Sequence, residues 1–283
     1  MTRGRFLANK NDRLTPISCY AFHCLAVFAC LVACRIPVAT GQQPIALSNR
    51  VQNFTTDNLQ NIYVITPENE VVKFTPDGQE IFRYPNRTLG HVAFLDATNP
   101  FNLLLFLPEY QNVLMLDRTL NLIAQFNLFR FGLFQVNAVG MASDGHLWVY
   151  DETTFRLEKI TPDGTVKVES GDLSLALGQT IRPNFLIERE QQVFLNDPNI
   201  GVLMFDVFGQ YLKTIDIKGL SEFQIMDDQL IYCREGKLRS FHLSALLDRG
   251  LSTPIQLPEG CKVRVGKQKL FVLEANTLKI YPF

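Results

Sequence analysis

Residues 57–81, DNLQNIYVITPENEVVKFTPDGQEI, read as short strands joined by tight turns, and the unit returns at 143–167 as SDGHLWVYDETTFRLEKITPDGTVK. Both copies carry an aromatic before a valine, a hydrophobic–x–Lys–hydrophobic run and a Thr-Pro-Asp-Gly turn. A repeated supersecondary unit cannot bury its apolar face alone and must stack on its neighbours, so repetition limits the chain to a few architectures. Apolar strand cores recur as NIYVI (61–65), LLLFL (103–107), LWVY (147–150), VFLN (193–196), LIYC (230–233) and LFVL (270–273), starting 37 to 46 residues apart. After each comes a polar turn and a second strand: VVKFTP, VLMLD, LEKITP, VLMFD, LRSFH or LKIYP. Turns at Asp77-Gly78, Asp163-Gly164 and Phe208-Gly209 lead to a third strand such as QEIFRY or QYLKTID. A preceding strand, as in VQNFTT, GHVAFLD, VNAVGMA and PNFLIE, makes four per unit.

Four short strands every forty-odd residues is the period of a β-propeller blade. The expected fold is therefore all-β: a six-bladed propeller of four-stranded blades over residues 42–283. The strands are rich in Val, Ile, Leu, Phe and Tyr, as blades sandwiched between blades require. No segment sustains a 3.6-residue apolar period; SLALGQTIR and LSALLDRG allow a turn or two of helix. The sixth unit ends on its third strand, LKIYPF, while QQPIALSNR (42–50) precedes the first unit with no partner of its own. Pairing these two closes the last blade with the N-terminal strand and hides an open edge.

The first 41 residues have a different character. Arg3, Arg5, Lys10 and Arg13 flank an apolar run, ISCYAFHCLAVFACLVAC (17–34), followed by RIPVATGQQ. Basic flank, apolar core and small residues make an export signal, with Ala39 and Gly41 at the −3 and −1 positions of a cut before Gln42. Leu31-Val32-Ala33-Cys34 also reads as a lipobox, in which Cys34 is lipidated and becomes the new N-terminus. The same run, about 18 residues long, is just able to span a bilayer as an uncleaved anchor. All three readings place the propeller outside the cytoplasm: periplasmic, outer-membrane-associated or extracellular.

Four of the six cysteines lie in this segment, leaving Cys233 and Cys261 as a candidate disulfide between units five and six. Without residues 1–41 the chain keeps 22 of 27 basic and 27 of 28 acidic residues, a net charge of −5. With no basic block, nucleic-acid binding lacks electrostatic support.

The two best copies, DNLQNIYVITPENEVVKFTPDG and SDGHLWVYDETTFRLEKITPDG, resemble NHL-type repeats, and more widely the six-bladed propellers of the gluconolactonase and TolB-like kind. The likeness is good in units one and three, fair in four to six, and poor in two, where LPEYQN replaces the usual turn. It identifies a blade, not an activity. Enzymes on related propellers hold a divalent metal in the central channel through Glu, Asn and Asp near the starts of the innermost strands. The resemblance carries those positions to Asn53, His91, Asn137, Asn184 and Glu222. Such a ring of oxygen ligands suits Ca²⁺ or Mg²⁺, but only one of the five is a carboxylate, and polar residues at a channel mouth also simply bind water.

Other chemistry finds little support. Ser143 lacks the glycine two residues before it that a nucleophile elbow needs. His91, His146 and His242 fall in different units without zinc-ligand spacing, and no Gly-rich phosphate loop is present. Asp117, Asp151 and Asp206 suit turn capping. Asn53-Phe54-Thr55 and Asn86-Arg87-Thr88 match glycosylation acceptors, relevant only in a eukaryotic secretory pathway. Two connections stand out. FNLFRFGLF (126–134) crowds Phe126, Phe129, Phe131 and Phe134 between units two and three, and SGDLSLALGQTIR (170–182) is the longest inter-blade loop. Exposed rings there mark a partner site. The sequence thus points to a non-enzymatic protein-binding or scaffold module in the cell envelope or at the cell surface, with no cofactor. A metal-dependent lactonase-like hydrolase using the channel and a carbohydrate or small-ligand sensor are the competing readings.

Overall fold

A computed structural model describes residues 45–47, 50–87 and 90–283. The expected signal segment, Cys34 and the cut before Gln42 lie outside the described residues, as does Thr88. Among the described residues, twenty-four strands form six four-stranded antiparallel sheets arranged as blades around a ring. Blade 1 comprises β2 (Asn53–Thr56), β3 (Ile62–Ile65), β4 (Val71–Phe74) and β5 (Glu80–Tyr84). Blade 2 holds β6 (Phe94–Asn99), β7 (Asn102–Leu107), β8 (Asn112–Asp117) and β9 (Leu122–Asn127). In blade 3 they are β10 (Val136–Met141), β11 (Leu147–Asp151), β12 (Arg156–Ile160) and β13 (Val166–Glu169). Blade 4 is built from β14 (Phe185–Arg189), β15 (Gln192–Asp197), β16 (Gly201–Asp206) and β17 (Tyr211–Ile215). Blade 5 has β18 (Gln224–Met226), β19 (Gln229–Arg234), β20 (Lys237–His242) and β21 (Leu247–Gly250). The last blade takes β22 (Lys262–Gly266), β23 (Lys269–Glu274) and β24 (Thr277–Pro282) from the C-terminal end, and its outer strand, β1 (Ile45–Ala46), from the other. This is the closure expected from the two chain ends. No helix among the described residues is long and apolar enough to cross a membrane.

The middle strands are buried on both faces because each blade is covered twice. Successive side chains of a strand point to opposite faces, so Ile62 and Val64 of β3 pack toward Phe271 and Leu273 of blade 6, whereas Tyr63 and Ile65 pack toward Leu103 and Leu105 of blade 2. Outer strands lack a second cover, and β5, β9 and β21 are largely exposed.

The repeated aromatic and lysine prove to be one device. Tyr63 faces Lys73 across β3 and β4, with the ammonium 5.1 Å from the ring centre; Trp148 faces Lys159 at 5.2 Å. Each cation lies on a ring face, which both attracts it and keeps the alkyl stem in the stack. The aspartates behave as turn caps. Asp117 accepts from Thr119 N and Asn121 N, Asp151 from Thr153 N, and Asp206 from Phe208 N and Gln210 N. These bonds, chiefly the one from Asn121, hold the Asp117 carboxyl at about 2, well under its ordinary value.

Side chains also tie blade to blade by satisfying main-chain groups next door. Asn69 of blade 1 accepts from Val92 N and donates to Gly90 O. Gln111, in the divergent turn of blade 2, bonds both N and O of Val136 in blade 3, and Gln224 of blade 5 bonds N and O of Val265 in blade 6. The LPEYQN departure is thus a seam: its 3₁₀ turn, Pro108–Tyr110, delivers Gln111 in the left-handed region, φ 49°, to the next blade.

One buried carboxylate runs against this order. Glu158 on β12 is 8% exposed and stands in register opposite Glu169. Burial pushes its carboxyl above the ordinary value, the charges of Asp151 and Glu169 add to this, and Arg156 opposes it. The folded chain therefore holds this proton more tightly than the unfolded chain. Stability falls as pH rises from the unfolded pKa through the folded one. Glu158→Gln is expected to raise the urea midpoint at pH 7, with the gain closing below about pH 4.5. Equal gains at pH 7 and pH 4 would count against the charge as its cause.

Candidate functional site

The innermost strands surround a narrow channel whose free volume is only about 50 Å³. Three of the phenylalanines that line it pack against one another. Phe94 of β6 meets Phe185 of β14 edge-on with centroids 5.4 Å apart, and Phe185 meets Phe223 at 4.9 Å. A space of this size holds a few waters, whereas small-molecule pockets run to roughly 300–1,000 Å³.

The five positions carried over from metal-binding propellers do not converge. Only Asn53 and Glu222 line the channel. Glu222 pairs with Arg264 Nη2 at 2.9 Å and lies 4.0 Å from Lys262 Nζ, and Lys262 donates to Asn53 Oδ1 at 3.0 Å. The one carboxylate among the five positions is thus already matched by two cations, which disfavours adding a divalent one there. His91 lies exposed ahead of β6, its backbone N–H bonded to Glu109, while Asn137 and Asn184 line a different space. Lys262 and Arg264 are the residues the sequence comparison missed. Their signal is the alternation of KVRVG in the sixth inner strand, which sends both basic side chains to the same side.

Asn137 and Asn184 instead share an open groove of about 610 Å³ between blades 3 and 4, together with Gln135, Glu152, Arg182 and Pro183. Asn137 Nδ2 donates to Glu152 Oε1 at 2.6 Å. Asn184 Oδ1 accepts from Asn196 Nδ2 at 2.6 Å. Gln135, Asn137, Arg182 and Asn184 are all exposed. Both connections singled out in the sequence end on this groove. The Phe-rich segment runs into it through Phe134 and Gln135. The 170–182 loop forms a one-turn helix, α1 (Leu173–Leu177), capped by Asp172, and reaches the groove at Arg182.

The four phenylalanines divide by burial. A 3₁₀ turn, Leu128–Phe131, ended by Gly132 at φ 80°, turns Leu128 and Leu133 into the core. Phe126 and Phe131 pack half-buried on that cluster, and the Phe131 ring lies so close to Gly164 that a Cβ there would overlap it. Phe129 and Phe134 are left 43% and 62% exposed, stacked with centroids 6.0 Å apart. The exposed pair is therefore Phe129 and Phe134.

Among solved structures the chain is similar to a catalytically inactive virginiamycin B lyase from Staphylococcus aureus with quinupristin, with 14% identity, TM-score 0.54, 85% of this chain and 87% of that one covered. It is similar also to a streptogramin B lyase, at 12% identity and TM-score 0.57, covering 85% and 86%. The Neurospora crassa Pan2 WD40 domain matches at 10% identity and TM-score 0.52, covering 83% and 89%. These likenesses concern the fold: the chain is a six-bladed β-propeller. No family model matches it, and no curated protein matches it.

Proposed function

We propose that this chain is an exported, non-catalytic propeller that binds a partner protein in the cell envelope or at the cell surface, through the groove between blades 3 and 4 and the adjoining Phe129–Phe134 pair. The observation that carries the reading is the exposed stacked pair bordering a wide polar groove. Two solvated rings on a rigid turn cost little further entropy on binding, and aromatic anchors next to hydrogen-bonding side chains are the composition of interface hot spots. The Gln135 side chain offers a donor and an acceptor, and Asn137 Oδ1 a further acceptor, to a partner's main chain. The propeller scaffold holds them in place. The small free volume of the channel, about 50 Å³, supports binding on the face over catalysis at the axis. Export rests on the succession of basic, apolar and small residues in 1–41.

Phe129→Ser with Phe134→Ser should leave the thermal midpoint close to wild type, since both rings are exposed and neither belongs to a core cluster. It should weaken association with cross-linked envelope partners about tenfold or more, each decade being about 1.4 kcal/mol. Phe131→Ser serves as contrast, lowering stability by opening the Gly164 contact. Unchanged partner recovery for the double variant would defeat the proposal. So would stoichiometric Ca²⁺ with lactone hydrolysis lost in Glu222→Gln, which would favour the hydrolase reading.

A further inference from the structure

The Sγ atoms of Cys233 and Cys261 lie 3.9 Å apart across the seam between blades 5 and 6, as two free thiols. Cys233 sits near the end of β19, and Cys261 immediately precedes β22. The apolar cluster at this seam is the least buried in the ring. It has six buried side chains and seven partly buried ones, whereas each of the other five clusters has eleven to thirteen buried ones. Both cysteines are half-buried members of that cluster. The link that delivers Cys261, residues 251–261, forms no strand. Blade 6 therefore enters the ring on a segment with little regular backbone bonding, at the point where the second thiol waits.

We propose that Cys233 and Cys261 are a thiol–disulfide site whose oxidation clamps the C-terminal blade to blade 5. The chemistry needs a disulfide oxidant. Cys233 thiolate attacks one sulfur of that oxidant, forming a mixed disulfide and releasing one thiolate. Cys261 then loses its proton and attacks Cys233 Sγ, expelling the second. Two protein thiols become one disulfide, and the oxidant leaves as two thiols. The pair's mutual bond draws the Cys233 thiol below its usual value and, with burial, pushes Cys261 above it, which favours Cys233 as the first to attack. A small cleft of about 40 Å³ bordered by both cysteines, Ser221 and Lys262 leads to the site. Closing a 28-residue separation restricts mainly the unfolded chain.

The test uses the full chain with Cys19, Cys24, Cys30 and Cys34 replaced by serine, so that only this pair reacts. After equilibration with oxidised glutathione, non-reducing peptide mapping should show one cross-linked pair containing Cys233 and Cys261, with no titratable thiol. The thermal midpoint should stand roughly 10 °C above that of the dithiothreitol-treated protein. Cys233→Ser and Cys261→Ser should each abolish the shift. Two surviving thiols, or glutathione on both cysteines, would overturn the site. A bond that forms without raising the midpoint would overturn the clamp.

Discussion

Trp148→Ala is expected to lower the unfolding free energy by about 3–5 kcal/mol and the thermal midpoint by roughly 6–20 °C. Trp148 is fully buried in the middle of blade 3, in the cluster that joins it to Leu186, Val193 and Leu195 of blade 4. Its indole Nε1 donates to Glu188 Oε2 at 2.5 Å, and the other oxygen of Glu188 accepts from Ser143 N at 2.9 Å. Glu188 is 3% exposed, so losing the indole would leave a cavity and a buried carboxylate short of one donor. The lost volume and the unmet oxygen add. Trp148→Phe keeps most of the ring and removes only the donor, so it should cost about 1–3 kcal/mol. Trp148 is the only tryptophan, so unfolding is best followed by circular dichroism in urea, which reads variants and parent alike. A loss below about 1 kcal/mol for Trp148→Ala would show that the seam between blades 3 and 4 lies outside the cooperative unit.

This seam also marks the limit of what the sequence discloses. The strands of blades 1 and 3 are legible because their short apolar runs and the Thr-Pro-Asp-Gly turn are local, and the closure of blade 6 because both chain ends leave a strand unpaired. Trp148 and Lys159 announce themselves as a repeated pattern. Glu188 does not, because its partners stand forty residues and more away and become neighbours only when blades stack. The same holds for Glu222 and Arg264, which make an ion pair of a position carried over from metal-binding propellers. Among the phenylalanines of 126–134 the residue type is uniform and the burial is not. Which rings face out depends on the 3₁₀ turn and on Gly132, through the placement of Leu128 and Leu133. The groove was legible only in fragments, since Asn137, Asn184 and both unusual connections were visible separately, but nothing local brings blades 3 and 4 together at one end of β10 and β14.

Deleting residues 42–47 from the full chain is expected to cost about 4–6 kcal/mol and to make the protein self-associate. The deletion removes β1, whose Ile45 and Ala46 pair with Ile280 and Lys279, and the bond from Leu47 N to Leu278 O at 3.0 Å. It also removes Leu47, 5% exposed, from the cluster it shares with Phe54, Phe74, Phe271 and Leu278. Each backbone bond contributes about 1 kcal/mol net, and loss of a buried leucine about 2–5 kcal/mol. A domain with about 5–15 kcal/mol in hand would then be near its threshold. The kinetic consequence follows from geometry: β24 becomes an edge with unpaired N–H and C=O groups, the arrangement that recruits a strand from another molecule. Light scattering should show concentration-dependent dimers or larger species where the parent is monodisperse. A synthetic peptide spanning residues 42–51 should restore both the monomer and most of the lost midpoint by refilling the edge. A truncated chain that keeps the parent's midpoint and stays monomeric would mean that blade 6 is held by its neighbours alone, with the short β1 pairing contributing nothing to closure.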